Sequence, residues 1–413
     1  MSWTTIRADE YCESVRDGTH DTPKQTETGY KLVTGKHIKN GQIDLSDAYC
    51  ISEKDYKKIN ERSLVEKWDV LMSMIGTVGE VAVVKDHPNY AIKNVALFKC
   101  AGSELKGKWL AYYLQSSDAQ GHMSGNQKGS SQQFLSLKQL RSLPVPVADE
   151  TYMQKVVDIL STYDDVIENS QKQIKLLEEA AQRLYKEWFV DLRFPGHETT
   201  PIADGVPEGW QRKTVAECLS FHGNGGWGKE TPMGKNEHPG KVIRGTDIED
   251  IKAGRFNDVP LRYHTDNDIK KRTLKNYDLV FELSNGNINN IGRCLLVDDL
   301  VLKNCGENTI CASFCKLLRP ADRLHSLVLY WEIQDMQTSG RMLPYKKHGA
   351  NGINNFDFDG FLNHELLIPN NADMLTPIEA IMAKISIIQG QFALLTEARD
   401  RLLPKLMNGE IEV

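Results

Sequence analysis

The sequence lacks the patterns that would mark a secreted, membrane-spanning or disulfide-rich protein. Its 413 residues contain eight cysteines and no CxxC pair, which argues against a disulfide framework and a structural zinc site. The opening MSWTTIRADEY lacks the basic and apolar pattern of a signal peptide, and no run of about 20 apolar residues occurs. We therefore expect a soluble, cytoplasmic protein with reduced, buried thiols, no metal site and no membrane contact.

Motifs of self-sufficient enzymes are also missing. We find no G-x-x-x-x-G-K-[ST] phosphate loop, no H-E-x-x-H metal motif and no G-x-S-x-G nucleophile turn. The Asn/Asp-Pro-Pro-aromatic motif of adenine methyltransferases does not occur either. The acidic pairs Asp164-Asp165 and Asp298-Asp299 are better interpreted as solvated charges on a helix and after a strand. Catalysis by this chain is therefore not expected.

What the chain does contain is a helical repeat. The segment IKLLEEAAQRLYKEW (174–188) is echoed 218 positions later by FALLTEARDRLLPKL (392–406). Apolar residues recur in both at alternating steps of three and four, which is the seam of a coiled coil. The first seam comprises Leu160, Tyr163, Ile167, Ser170, Ile174, Leu177, Ala181, Leu184 and Trp188. Its counterparts are Ile378, Ile381, Ile385, Ile388, Phe392, Leu395, Arg399, Leu402 and Leu406, of which only Arg399 is not apolar.

Both helices begin where capping residues occur. Asp149 can cap a helix over about 150–190, and Thr376 precedes Pro377 and a capping-box Glu379. We expect the second helix to be shorter or kinked near Pro404. Matched seams predict that the helices pack on each other, and an antiparallel pair would relate the two halves of the chain by a pseudo-twofold axis. The alternative is two unrelated helices, each covering its own domain.

The blocks before the two helices repeat more faintly. In both, a basic turn is followed by a β-branched stretch and then by a Gly/Asn/Gln-rich loop. The first block has these at 31–43, 68–84 and 125–134, and the second at 241–256, 277–297 and 346–356. We predict a mixed α/β fold in which two long helices form an antiparallel coiled coil between two α/β domains. The predicted boundaries are 1–148 and 193–371 for these domains, 149–192 for the central helix and 372–413 for the C-terminal helix.

Seven short segments together resemble the DNA-specificity subunit of type I restriction-modification systems. They are DGTHDTP (17–23), LVTGKHIKNGQI (32–43), MIGTVGEVAVV (74–84), KGSSQQF (128–134), EAAQRLYKEWF (179–189), PEGWQ (207–211) and LLPKLMNGEIEV (402–413). The resemblance covers nearly the whole chain. It implies two target-recognition domains, each reading half of a split double-stranded DNA sequence, at a spacing set by the helical pair. It also implies two methyltransferase subunits and restriction (motor-nuclease) subunits as partners, with S-adenosylmethionine, ATP and Mg on those partners and no cofactor on this chain.

The candidate DNA-contacting residues are the cations and amides of the repeated loops, which can bond phosphates and base edges, together with polar, aromatic and glycine residues of the same loops. Glycine would let the backbone come close to a phosphate. In the first block they are Thr34, Gly35, Lys36, Lys39, Asn40, Gly76, Thr77, Gly79, Lys128, Ser130, Ser131, Gln132 and Gln133. In the second block they are Trp227, Lys229, Arg244, Thr246, Asn285, Asn287, Asn289, Lys346, Lys347, His348, Asn351 and Asn354. Ordinary turn chemistry is the alternative for each loop.

Two other functions stay open at this point. A coiled-coil adaptor would use the helical pair to join proteins without touching DNA. A stand-alone enzyme acting on DNA would need a site of a kind that the motifs above do not include.

Overall fold

The computed structural model describes residues 3–76, 78–124, 134–256, 258–349 and 352–413. The chain divides into two compact units. The first consists of Met1–Val166 and Thr396–Val413, and the second of Ile167–Leu395. Each unit therefore contains one globular block and a piece of each long helix.

The first unit has eleven strands and five short helices ahead of the central helix, among its described residues. The strands are β1 (Thr4–Arg7), β2 (Ser14–Asp17), β3 (Tyr30–Val33), β4 (Ile38–Lys39), β5 (Gln42–Ile43), β6 (Cys50–Ile51), β7 (Val70–Ser73), β8 (Val81–Val83), β9 (Tyr90–Ile92), β10 (Val95–Lys99) and β11 (Pro144–Val147). The helices are α1 (Ala8–Tyr11), α2 (Glu53–Ser63), α3 (Glu104–Gln115), α4 (Ser117–Ser124) and α5 (Leu137–Arg141). The central helix α6 spans Glu150–Tyr185 and continues as a π-helical turn over Lys186–Val190.

The second unit has its own set of elements. The strands are β12 (Ile202–Ala203), β13 (Val206–Pro207), β14 (Trp210–Thr214), β15 (Leu219–Asn224), β16 (His238–Ile243), β17 (Leu261–His264), β18 (Leu279–Glu282), β19 (Ser284–Asn285), β20 (Cys294–Leu296), β21 (Ile310–Cys311), β22 (Cys315–Pro320), β23 (Lys346–Lys347), β24 (Asn354–Phe356) and β25 (Glu365–Pro369). The helices are α7 (Val215–Cys218), α8 (Ile248–Lys252), α9 (Asp266–Arg272), α10 (Asp299–Cys305), α11 (Arg323–Ser339) and α12 (Phe358–Phe361), followed by the last long helix α13 (Thr376–Met407).

The two units share one sheet topology. The first has an antiparallel sheet in the order β2-β10-β7-β8, and the second has β15-β22-β18-β20. A second sheet, β6-β3-β9 or β17-β16-β21, contains the parallel pair β3–β9 or β16–β21. In each block a strand near its start pairs with its last strand, β1 with β11 and β14 with β25. The predicted mixed α/β class is confirmed.

The duplication extends to single residues at the start of β7 and β18. Trp68 and Tyr277 both have positive φ, 71° and 68°, which is uncommon for bulky side chains and is held by the surrounding fold. The next residue, Asp69 or Asp278, forms a buried ion pair with Lys99 (2.7 Å) or Arg319 (2.6 Å). The strands themselves are short apolar runs buried on both faces.

The helix starts were predicted with mixed success. Asp149 caps α6 as predicted, since its Oδ1 accepts the backbone N–H of Tyr152 at 3.0 Å. The Thr376 cap is wrong: a 3₁₀ turn over Ala372–Leu375 runs into α13, and Thr376 itself has helical φ and ψ. Asn371 accepts the Asp373 N–H at 2.9 Å instead. The helix continues through Pro404 to Met407.

Within each unit, pieces of α6 and α13 pack together with opposite chain directions. In the first unit, the Tyr152 hydroxyl donates to the Leu406 carbonyl oxygen at 2.9 Å, and Asp164 pairs with Arg399 at 3.0 Å. In the second, Ile174 packs with Ile385 and Ile388. The seam residues fall into two groups by exposure. Buried are Leu160, Ile167, Ser170, Ile174, Ala181, Ile378, Ile385, Ile388, Phe392 and Leu406, and half-buried are Tyr163, Leu177, Leu184, Trp188, Ile381, Leu395, Arg399 and Leu402.

Arg399 was the one polar exception in the second seam, and its environment explains it. Its Nη1 bonds Asp164 at 3.0 Å, and the other oxygen of Asp164 accepts the Tyr112 hydroxyl at 2.7 Å. Asp164 is therefore part of a bonded cluster rather than the solvated charge we expected. Similarly, Asp298 is the N-cap of α10 and accepts the Val301 N–H at 2.9 Å.

One described helix, within Ala372–Met407, is long and apolar enough to cross a membrane by length and composition alone. This is weak evidence, because helices that bury one face inside a soluble protein have the same composition. Its apolar residues Ile378, Ile385 and Ile388 are buried against other parts of the second unit.

Candidate nucleic-acid interface

In the first unit, the turn after β3 packs directly on the end of β7. Thr34 starts a 3₁₀ turn closed by a capping box, in which the Thr34 N–H donates to His37 Nδ1 at 2.8 Å. A Cβ placed on Gly35 would lie 3.3 Å from the Cβ of Ser73, so a larger residue here would crowd the strand. The His37 side chain is fully buried, and that burial lowers its pKa. The turn is thus anchored by its own backbone chemistry.

The two lysines in this region, Lys36 and Lys39, differ in whether they form an ion pair. Lys36 forms an ion pair with Asp47 at 2.8 Å. Lys39 is exposed and, among the residues that the structure describes, has no acidic group within ion-pair distance. Asn40 and Gly41 have φ of 52° and 77°, which fits the Asn-Gly hairpin turn between β4 and β5. Lys39 is therefore the better cation for a phosphate on this turn.

The loop after β7 joins the same edge of the unit. Gly76 and Gly79 have positive φ, 83° and 96°, and Gly79 lies against the side chain of Gln120. An isolated bridge between Ile75 and Phe134 brings the flank of the Gln/Ser-rich loop to this position. The remaining candidates of this block lie outside the described residues: Thr77, Lys128, Ser130, Ser131, Gln132 and Gln133.

In the second unit, the equivalent turn begins at Arg244. Its side chain is held by Asp247, to which Nε donates at 3.0 Å, and by the Asp258 carbonyl oxygen, to which Nη2 donates at 2.9 Å. Arg244 is thus already engaged, whereas Thr246 beside it is exposed. Gly245 packs on the carboxylate of Glu282, the last residue of β18.

The Asn-rich and Lys-rich segments of this block meet in one small sheet, β19-β24-β23. Asn354 Nδ2 donates to the Gly286 carbonyl oxygen at 3.0 Å, and its Oδ1 lies 3.1 Å from His348 Nδ1. Lys347 pairs with Asp357 at 2.7 Å, and Lys346 Nζ donates to the Asn289 carbonyl oxygen at 3.4 Å. The predicted loops are therefore neighbours in the fold.

Part of this amide chemistry is ordinary turn chemistry. Asn287 caps the 3₁₀ turn Ile288–Asn290, where its Oδ1 accepts the Asn289 N–H at 3.0 Å. Asn285 Nδ2 donates to Glu282 at 2.7 Å. Asn351 lies outside the described residues.

The Trp227 loop lies beside these turns but is built differently. Trp227 is 41% exposed, and the Arg262 guanidinium lies 4.7 Å from its ring centre, a cation–π contact. Lys229 is exposed and bridges to Tyr263 through its backbone. The letters GNGGWG (223–228) match the spacing of a dinucleotide-binding loop, but a hairpin rather than a helix follows, so that function is not supported.

The equivalent loop of the first unit lies in DGTHDTP (17–23), which carried part of the resemblance but supplied no candidate DNA contact. Gly18 and Gly225 occupy matching places, each packed on the end of the third strand of the smaller sheet, at Ile92 or Cys311. His20, two residues after Gly18, bonds Asn94 at 2.8 Å and Asp17 at 3.1 Å. The signal that could have found His20 is the alignment of Asp17-Gly18 with Asn224-Gly225 at the ends of β2 and β15.

The clustered cysteines of the second unit are buried thiols. Burial raises the pKa of Cys305 to about 11 and that of Cys311 to about 12, so both stay protonated at neutral pH. Within the described part of the chain, no group of three His, Cys, Asp or Glu side chains is arranged to hold a metal ion.

Comparison with known proteins agrees with the geometry. Residues 2–179 match the family model described as "Type I restriction modification DNA specificity domain". The type I restriction enzyme MjaIX specificity subunit of Methanocaldococcus jannaschii is 24% identical over 382 residues, which cover 88% of this chain and 82% of that protein. The EcoBI specificity subunit of Escherichia coli is 28% identical over 144 residues, covering 34% of this chain and 30% of that protein.

A solved structure supports the fold alone. The S subunit of a type I restriction-modification system from M. genitalium aligns over 98% of this chain and 96% of its own, with a TM-score of 0.51 and 14% sequence identity. The resemblance predicted from the sequence is confirmed. The matched proteins are named specificity subunits, which agrees with the prediction that this chain is not itself an enzyme.

Proposed function

We propose that this chain, a specificity subunit of a type I restriction-modification system by its family, reads a two-part DNA target, one part with each unit. The observation that carries the proposal is the duplicated topology. In both units a turn follows the first strand of the parallel pair and packs on the residue that ends β7 or β18. Two equivalent edges with different loop residues suit two different half-sites.

The chemistry of the two edges fits nucleic acid. Exposed Lys39 and Lys229 suit phosphates, and the exposed amide of Asn289, in the loop next to the internally bonded Asn285, suits a base edge. Such contacts would give an affinity that falls with salt concentration and a sequence preference that comes from the loops.

The long helices supply the second half of the proposal. We propose that α6 and α13 set the distance between the half-sites, about one DNA turn of 34 Å, and present surfaces to partner subunits. Two methyltransferase subunits and restriction subunits would assemble on this chain in the cytoplasm. S-adenosylmethionine, ATP and Mg would be bound by those partners, and the methyltransferases would flip the target base out of the duplex.

The test is to express the chain with its cognate methyltransferase and to map methylated bases across a genome. We expect one motif with two specified parts and an unspecified gap. Insertion of four residues into both long helices should change that gap, and an unchanged gap would contradict the spacing role. Methylation without any two-part motif would contradict DNA reading and favour the coiled-coil adaptor.

A further inference from the structure

A buried ion pair lies under the candidate interface of the second unit. Glu282, the last residue of β18, is 2% exposed, and Arg293 Nε donates to its Oε2 at 2.8 Å. The other carboxylate oxygen accepts Asn285 Nδ2 at 2.7 Å. Buried ion pairs contribute little net stability to a fold. This pair is therefore better explained by the neighbouring segments that it holds in place.

This pair joins the turn and the loops that we propose to contact DNA. Arg293 Nη2 donates to the Gly245 carbonyl oxygen at 2.9 Å, so the pair holds the turn that carries Arg244 and Thr246. A Cβ at Gly245 would overlap the Glu282 carboxylate, which leaves glycine as the residue that lets the turn rest there.

The same carboxylate reaches the neighbouring loops through Asn285. Asn354 donates to the carbonyl oxygen of Gly286, next to Asn285, at 3.0 Å, and contacts His348 at 3.1 Å. A chain of hydrogen bonds thus runs from Glu282 to the exposed His348.

The first unit has an uncharged residue at the same position. Ser73 ends β7, is 0% exposed and lies under Gly35. Its Oγ accepts the Glu80 N–H at 2.9 Å and so holds the loop that contains Gly76 and Gly79. In each unit, one buried polar residue therefore links the turn to the loop after the strand.

We propose that Glu282, together with Arg293, is a positioning residue that determines target specificity in the second unit. It fixes the Arg244 turn, the Asn285 loop and the segment around His348 in one geometry, so that their side chains meet one base sequence. This inference rests on the proposed function, since it assumes that these loops read DNA.

The chain offers a matched control in the same strand. Asp278, just before β18, is also 2% exposed, and it pairs with Arg319 at 2.6 Å. That pair occurs in both units, as Asp69–Lys99 in the first, and lies at the end of the strand away from the reading loops. E282Q and D278N each neutralise one buried carboxylate without changing its shape, so a purely structural role predicts similar effects.

The experiment compares wild type, E282Q and D278N in complex with the methyltransferase. Methylation rates are measured on the mapped target and on duplexes with single base changes in either half. We expect E282Q to reduce discrimination in one half about tenfold, while the other half and the salt dependence stay unchanged. We expect D278N to lower the thermal midpoint but to leave both halves discriminated.

Equal effects of E282Q and D278N on discrimination would overturn the positioning role, as would a loss spread over both halves. If E282Q does not assemble with the methyltransferase, the double variant E282Q/R293M is tested in its place, because it leaves no unpaired buried charge. Its discrimination is the ratio of the methylation rate on the target to that on each changed duplex. A wild-type complex that methylates without a two-part motif would instead reject the proposed function itself, so the two failures are distinguishable.

Discussion

The two units share one arrangement of strands, and they differ at the end of β7 or β18, where the loops proposed to contact DNA begin. Trp68 and Tyr277 share a left-handed backbone, and Asp69–Lys99 corresponds to Asp278–Arg319. By contrast, Ser73 is replaced by Glu282. The shared pair at the start of the strand is constrained by packing on all sides, whereas the residue at the other end of the strand supports loops that can change without disturbing the core.

The helix that packs on the sheet of each unit also combines equivalent positions with different side chains. Gly107 of α3 packs on the Trp68 carbonyl oxygen, and at the equivalent place Ser326 of α11 donates its hydroxyl to the Tyr277 carbonyl oxygen at 2.6 Å. By this register, Tyr113 of the first unit corresponds to Glu332 of the second. The same architecture therefore holds an apolar ring in one unit and a buried charge in the other.

The largest effect is expected from breaking the buried ion pair that both units share. Asp278→Ala leaves Arg319 without its partner and should cost about 3–5 kcal/mol of unfolding free energy. Asp69→Ala should cost a similar amount through Lys99. Chemical denaturation of each variant measures this, and a cost below about 1 kcal/mol in either would show that the pairs are not equivalent.

The next effect concerns a group that only the second unit has. Burial by itself raises the pKa of Glu332, but hydrogen bonds from His364 and Arg341 outweigh burial and lower that pKa to about 2. A carboxylate with a depressed pKa stabilises the fold above its unfolded pKa, and this stability is lost as the pH falls towards about 2. Glu332→Gln should therefore cost about 3 kcal/mol at pH 6 and much less near pH 2.

Unfolding curves of wild type and Glu332→Gln at several pH values check this. Tyr113→Phe in the first unit is the control, because its effect should not depend on acid pH. A cost for Glu332→Gln that stays constant between pH 6 and pH 2 would contradict the assignment.

A smaller effect distinguishes the helix pieces of the two units. Arg399→Ala in the first unit leaves Asp164 unpaired and should cost about 2 kcal/mol, between the values for buried and surface pairs. Asp164→Leu combined with Arg399→Leu should recover most of it by giving this position the apolar character that Ile174 and Ile385 have in the second unit. A double variant less stable than the single one would show that the polar cluster with Tyr112 is required.

The smallest expected effect is on DNA affinity at the two edges. Lys39→Glu and Lys229→Glu should each weaken DNA binding of the assembled complex about tenfold, and corresponding Gln variants should lower the salt slope by about one. Lys36→Gln is the control, since Lys36 is already paired with Asp47. Titration of labelled duplex at several salt concentrations measures the affinity and its salt dependence. A larger loss of affinity from Lys36→Gln than from Lys39→Gln would contradict the choice of contacts.

The places of the candidate loops could be predicted from the sequence, but the contacts of their side chains could not. The repeated loops around Lys36 and Arg244 could be found because Gly and polar residues interrupt β-branched runs at matching places. The engagement of Arg244 with Asp247 could not, because the sequence shows a cation and an acid three residues apart without showing which way the turn closes. His20 was missed for a similar reason, since its neighbour Asn94 is far away in sequence.

The two long helices also show what the sequence predicts well and what it does not. Seam periodicity together with the Asp149 cap predicted α6 to within its π-helical end, because apolar residues at alternating steps of three and four are typical of a long helix that packs on another. The Thr376 cap failed because local capping preference is weak, and tertiary packing of Leu375 and Ile378 extended the helix backwards.

By itself, the sequence determined the two-fold repetition, the mixed α/β class, the long helices and the resemblance to a known family, since all of these depend on patterns read along the chain. Only the tertiary structure decided that Glu282 lies under Gly245, that Arg399 has a partner in Asp164, and that Asn285, Asn354 and His348 are neighbours. The physical reason is that these are contacts between residues distant in sequence, and their energies depend on burial and orientation, which the order of residues does not state.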